Sequence, residues 1–339
     1  MPVQSSPSGR PSGGATGVIL LQLGTPDAPT TAAVRRYLRE FLSDRRVIDL
    51  PRALWLPILY LLVLPRRPAQ SAALYRKVWA PGGSPLLVTS EAQAAVLEQS
   101  LSGTAGRPVP VVVGMRYGQP SIQTAVERLA ARGVDRILAF PMYPQYAGAT
   151  TGSSLERLLD VVRGQRVVPS VRVVPPYFEA PSYIEAVATV AREAFAASAE
   201  TFDRVLLSFH GLPKRYATEG DPYPQQCEAT AAALRPALAD LAPHIDVVYQ
   251  SRFGREEWLQ PYTDVTLGEL GRRGERVAVM CPGFTADCLE TLEEIGIRGA
   301  EQFHETGGRT YLRVPCINEH PSWLAAMHAI AVENLGGWL

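Results

Sequence analysis

Residues 206–216 read LLSFHGLPKRY, an apolar run that stops at His210 with a glycine directly after it. Histidine is scarce, with five in the chain, and an imidazole, whose reference pKa is about 6.5, trades a proton near neutral pH. A second stretch, CPGFTADCLETLEEI, places carboxylates at Asp287, Glu290 and Glu294, at positions i, i+3 and i+7. On an α-helix, at about 100° per residue, they fall within an arc of roughly 60°. Such a face is either solvated surface or an acidic wall inside a cleft. An imidazole and a carboxylate facing each other across a cleft can bind a metal ion or pass protons. Thr285 would cap this helix, and Asp287 suits the positive end of its dipole. Other chemistry-bearing residues cluster in MRYG (Arg116, Tyr117), in PMYPQYAGATTGSS (Tyr143, Tyr146) and in QSRFGREEWLQP (Arg252, Arg255, Trp258).

The elements that must position these residues alternate regularly. GVILLQLG (17–24), VPVVVGMRYG (108–117) and DRILAFP (135–141) are apolar runs, each followed by turn residues and a helical pattern. The theme restarts after about residue 172 with RVVPPYF, DRVLLSFHG, IDVVYQSRFG and RVAVMCPGF. Continuous Val/Ile/Leu runs between amphipathic helices predict parallel sheets covered on both faces. A chain of 339 residues exceeds one ordinary core. The expectation is therefore two doubly wound α/β halves in tandem, 17–165 and 166–339, after a disordered Ser/Gly/Pro-rich tail over 1–16. Ligands bind outside the carboxyl ends of the strands in such sheets, and His210 stands at one of these ends.

Composition narrows the partners. There are 33 basic and 33 acidic residues, dispersed along the chain, which excludes the basic stripe of a nucleic-acid binder. The cysteines, Cys227, Cys281, Cys288 and Cys316, lack the spacing of a zinc knuckle or a disulfide framework. Without a secretory leader they read as reduced thiols, so a cytoplasmic location is expected. ALWLPILYLLVLP (53–65) is strongly apolar and edged by Arg52, Arg66 and Arg67. It is shorter than the roughly 20 residues of a spanning helix. It reads as a buried helix, or as an exposed apolar lip that rests on a membrane or holds a greasy ligand.

The motifs SFHGLPKRY…GDPYPQQC, YQSRFGREEWLQPYTD and MCPGFTADCLETLEEI closely resemble the ferrochelatase family, as do LLQLGTPD, GGSPL, GMRYG and YPQYAGATTGSS. The resemblance spans residues 17 to 330. It implies two Rossmann-like halves, with parallel sheets, enclosing a porphyrin cleft, and insertion of ferrous iron into protoporphyrin IX as the last step of protohaem synthesis. It implies His210 and Glu290 as the catalytic and metal-binding pair, 290 − 210 = 80 positions apart, with Asp287 and Glu294 as an acidic path for protons or metal. Trp258 and Phe284 match aromatic residues around the macrocycle, and Arg116, Tyr117 and Tyr146 match cleft-lining positions. Leu23 is implied as a further porphyrin-binding position; it stands where other members have Met or Tyr, so a metal-coordinating role there is not expected. Segment 53–65 matches the apolar mouth of the cleft and a peripheral membrane contact.

The implied chemistry needs these residue types. A free porphyrin carries two N–H protons that block an incoming metal, so the ring must be bent and both protons removed. An aromatic-lined cleft supplies the distortion from binding energy realised elsewhere on the macrocycle. Imidazole and carboxylate both suit ferrous iron and proton transfer. Iron is then a substrate, and no cofactor is required. Some members hold a [2Fe–2S] cluster; in one cluster-bearing type the first ligand falls where this chain has Gly148, so no cluster is expected. The alternatives are a coproporphyrin III chelatase, a non-catalytic tetrapyrrole or metal carrier, and a bilobed solute-binding protein. The motifs do not specify monomer or homodimer.

Overall fold

The computed structural model describes residues 14–254 and 256–339. The expected tail lies outside these residues up to position 13, as does Arg255. Strand β1 (Ala15–Thr25) begins inside the remainder of that tail, because Thr16 is buried and its hydroxyl donates to the Trp338 carbonyl at 2.8 Å.

The first sheet contains β1, β2 (Val111–Gly118), β3 (Val134–Pro141) and β4 (Ser170–Val173); the second contains β5 (Arg204–His210), β6 (His244–Gln250), β7 (Arg276–Met280) and β8 (Thr310–Arg313). All pairings are parallel, in the orders β2-β1-β3-β4 and β6-β5-β7-β8. The two halves repeat one topology. The boundary expected at residue 165 moves accordingly: the strand expected to open the second half is β4, which pairs with β3 and closes the first sheet. Its equivalent β8 carries no continuous apolar run, and neither does β4, because both are short, partly exposed edge strands.

Helices α1 (Thr31–Leu42), α2 (Arg52–Ile58), α3 (Leu64–Val78) and α4 (Pro85–Ala105) lie between β1 and β2. α5 (Ile122–Ala131) and α6 (Ser153–Arg163) follow β2 and β3, and α7 (Pro181–Ser198) joins the halves. The second half adds α8 (Lys214–Thr218), α9 (Tyr223–Leu238), α10 (Thr263–Arg272), α11 (Ala300–Glu305) and α12 (Pro321–Leu335). Local chemistry sets several starts. Thr30 Oγ1 accepts from the Ala33 amide at 3.3 Å and Ser121 Oγ from the Thr124 amide at 3.1 Å, satisfying amides that a helix leaves unpaired.

One apolar cluster runs through both halves, joining Leu20 and Phe140 of the first sheet to Leu207 and Phe209 of the second. Tyr177, Tyr183 and the fully buried Trp323 of α12 pack together within it. A shared core fixes the two sheets relative to each other. Gly24 is indispensable where β1 turns out of the sheet. Its φ is +116° and a Cβ there would fall 1.8 Å from the Tyr117 carbonyl oxygen, which only glycine avoids.

Segment 53–65 combines both of its expected readings. It folds as α2, a π-helical turn (Leu59–Val63) and the start of α3. Leu59 and Leu64 are buried, whereas Leu54, Tyr60, Leu61 and Leu62 are exposed, Leu61 by 71%. Among the described residues no helix is long and apolar enough to cross a membrane.

Candidate active site

The chain leaves β5 for β6 on one side and later enters β7 on the other. The crevice of a doubly wound sheet opens at such a switch point, beyond the carboxyl ends of the strands. His210 ends β5, and β7 leads into the helix carrying Glu290 and Glu294. His210 Nδ1 lies 2.7 Å from the Gly211 carbonyl. A carbonyl only accepts, so Nδ1 carries a proton, and in the neutral ring Nε2 offers the lone pair. Trp258 packs at this loop: a Cβ on Gly211 would meet its ring at 3.1 Å. The indole is buried edge-to-face against Phe253, and its Nε1 has no hydrogen-bond partner.

The acidic helix departs from the α-geometry expected for it. It is a π-helix over Glu290–Gly299, a form enriched at functional sites. Asp287 precedes it, so the expected arc of three carboxylates does not form. Asp287 instead accepts from Thr291 Oγ1 at 2.7 Å, Asn318 Nδ2 at 2.8 Å and Arg313 Nη1 at 2.9 Å. Nor does Thr285 cap the helix; its hydroxyl donates to the Met142 carbonyl of the first half at 3.0 Å. No side chain caps this helix; Thr291, in its first turn, accepts from the Cys288 amide just before it at 3.0 Å.

Glu294 accepts from the Ser251 amide at 2.9 Å and from the Ser251 hydroxyl. Ser251 adopts φ +66°, a strained conformation for serine of the kind kept at functional sites. Burial raises the Glu294 carboxyl above its ordinary range, against the pull of Ser251, Arg298 and His210, and the charge of Glu290 raises it further. His210, Glu290 and Glu294 thus share one electrostatic environment. Across the interface, burial first and then the charge of Glu290 push up the Tyr75 hydroxyl. Burial, then Tyr75 and Glu290, do the same to Tyr37. Sequence reasoning missed both tyrosines, since nothing in their helices marks them as facing the second half. It also missed Glu293, buried and paired with Lys77 of α3 at 3.0 Å.

The remaining residues divide. Leu23 is half-buried near the carboxyl end of β1, the switch point of the first half, and Phe284 is half-buried in the turn after β7. Tyr146 is half-buried, with its amide donating to Gln226 Oε1 at 2.7 Å. Arg116 and Tyr117 are drawn instead to Asp44, at the end of α1. Arg116 pairs with Asp44 and donates to Ser153 Oγ at 2.6 Å, and the fully buried Tyr117 donates to Asp44 at 2.8 Å. A cavity of about 490 Å³ beside this network is lined by Asp27, Arg36, Arg39, Glu40, Tyr60 and Arg116 among others, and reaches neither His210 nor Glu290.

Asp44 carried no motif signal. Burial alone would raise its carboxyl, but hydrogen bonds from Ser153, the Arg46 amide and Tyr117, with the Arg116 charge, hold it below the ordinary range. A depressed folded-state value gives stability that is present above the unfolded aspartate value of about 3.9 and lost as pH falls through the folded one. Asp44→Asn is expected to cost about 3 kcal/mol at neutral pH, because it strands Arg116, and progressively less as pH falls through the folded value. Urea unfolding of both proteins across pH checks this; a gap that persists undiminished in acid contradicts it.

A family model described as Ferrochelatase matches residues 15–335. The chain belongs to the ferrochelatase family. It is accordingly a metal chelatase of tetrapyrroles. Solved structures share the fold. SirB from Bacillus subtilis with Fe3+ aligns at 17% identity and TM-score 0.51, over 74% of this chain and 92% of that one. CbiX, the terminal enzyme for biosynthesis of siroheme in denitrifying bacteria, aligns at 15% identity and TM-score 0.51, over 94% and 100%. The sirohydrochlorin chelatase SirB from Bacillus subtilis subspecies spizizenii in complex with cobalt aligns at 14% identity and TM-score 0.50, over 72% and 88%.

Among the described residues no three or more His, Cys, Asp or Glu side chains are grouped to hold an ion. All four cysteines are free and buried, and burial pushes each thiol up, which makes them poor nucleophiles.

Proposed function

We propose that this chelatase inserts ferrous iron into protoporphyrin IX, releasing two protons and forming protohaem. The observation that carries the reading is His210 at the β5/β7 switch point, with Nε2 as its free nitrogen and Glu290 and Glu294 in the same electrostatic environment. His210 Nε2 accepts a pyrrole proton, Glu290 holds the metal or takes the second proton, and Glu294, with its raised carboxyl, relays protons outward. Iron is substrate in this reading, and no resident cofactor takes part.

Four arginines already paired with carboxylates support a porphyrin with two propionates over coproporphyrin with four. Arg36 is paired with Asp27, Arg116 with Asp44, Arg215 with Asp49 and Glu256, and Arg252 with Asp264. Each paired guanidinium is a poorer partner for an extra carboxylate. Anaerobic assays with ferrous iron and each porphyrin test the choice. The expected kcat/KM is at least about tenfold higher for protoporphyrin, a difference of about 1.4 kcal/mol. The reverse order makes the protein a coproporphyrin III chelatase, and binding without turnover makes it a carrier. The reading includes a cytoplasmic protein that touches a membrane peripherally through Leu54, Leu61 and Leu62, whose exposed side chains offer an apolar contact.

A further inference from the structure

We propose that Gln250 is a positioning residue that sets the spacing of His210 and Glu290; this rests on reading those two as the reacting pair. Gln250 ends β6 directly beside His210 in register, and its carbonyl accepts from the Gly211 amide at 2.8 Å. Its side chain is almost wholly buried, at 2% exposure, and crosses the ends of the strands. Oε1 accepts from Ser208 Oγ of β5 at 2.8 Å and from Cys281 Sγ, just after β7, at 3.5 Å. Ser208 is itself tied to Thr263 Oγ1 at 2.9 Å. Two donors on one oxygen fix which way the amide faces, so Nε2 points at the Glu290 carbonyl and donates to it at 3.2 Å.

One amide therefore joins three adjacent strands to the first turn of the acidic helix. It grips the main chain of Glu290 and leaves the carboxylate out of the bond. The next residue, Ser251, holds the Glu294 carboxylate one turn later. A buried network of this kind, satisfied at both ends, orients a site more sharply than packing alone, and small misplacements of reacting groups cost rate steeply.

Two variants test it. Gln250→Met keeps length and burial but removes every side-chain hydrogen bond. It is expected to lower kcat by roughly 10- to 100-fold while the porphyrin Kd, read by fluorescence, stays within about twofold. Gln250→Asn keeps the amide but is one methylene shorter, so it cannot reach Ser208 and the Glu290 carbonyl at once; its kcat is expected to fall by a similar factor, again with porphyrin Kd within about twofold. A merely structural residue would lower kcat and porphyrin binding together, in step with Tm; that outcome overturns the proposal. So does full activity of a folded Gln250→Met. A wild-type protein inactive on both porphyrins overturns the proposed porphyrin reaction itself, and is told apart because no variant is needed to see it.

Discussion

Replacing His210 with alanine is expected to cut metal insertion at least 10²-fold, the lower range for losing a general base, while the protein stays folded. The side chain is half-buried at the end of β5 and its one hydrogen bond goes to a neighbouring carbonyl, so little packing is lost. Porphyrin binding should persist, because Trp258, Phe284 and the tyrosines from the first half remain. The check is steady-state kinetics beside a thermal melt. Turnover above about a tenth of wild type would remove His210 from the proton path.

The second large effect separates two carboxylates one turn apart. Glu290→Gln removes charge while keeping shape and is expected to cost mainly kcat, on the order of 10²-fold, because Gln250, beside His210, ties the Glu290 main chain to the ends of the strands. Glu294→Gln should cost less. Glu294 also carries a stability signature of definite sign. Its folded-state value is raised, so its contribution is present below the unfolded glutamate value of about 4.3 and is lost as pH rises through the folded value. Glu294→Gln removes that loss, since Ser251 can turn its hydroxyl to accept from the new amide. The variant is thus expected to melt higher than wild type at neutral pH and to converge with it in acid. Equal kinetic losses at both positions would indicate one collective electrostatic wall. A lower melting point for Glu294→Gln at neutral pH would contradict the desolvation argument.

Residue pattern by itself was enough for six of the strands and for the placing of His210. β1, β2, β3, β5, β6 and β7 are buried on both faces along much of their length, so each reads as an unbroken apolar run, and an ionisable residue where such a run ends stands out. β8 escaped because a short edge strand half-exposed to solvent needs no such run, and β4 was read as a strand but given to the wrong half. The motifs were long enough to carry the family as well. Only the tertiary structure decided which acidic residues share the site. Helix type shifted the angular arithmetic, and Arg313 and Asn318 took Asp287 for themselves. Asp44 likewise captured Arg116 and Tyr117 from more than seventy positions away. Gln250, Tyr37 and Tyr75 gave no local signal, because their importance lies in partners that only the order β6-β5-β7 and the shared core bring near. Local pattern reports how a residue meets its own strand or helix; which charges and hydrogen-bond partners it meets depends on contacts distant in sequence, which a periodic pattern does not encode.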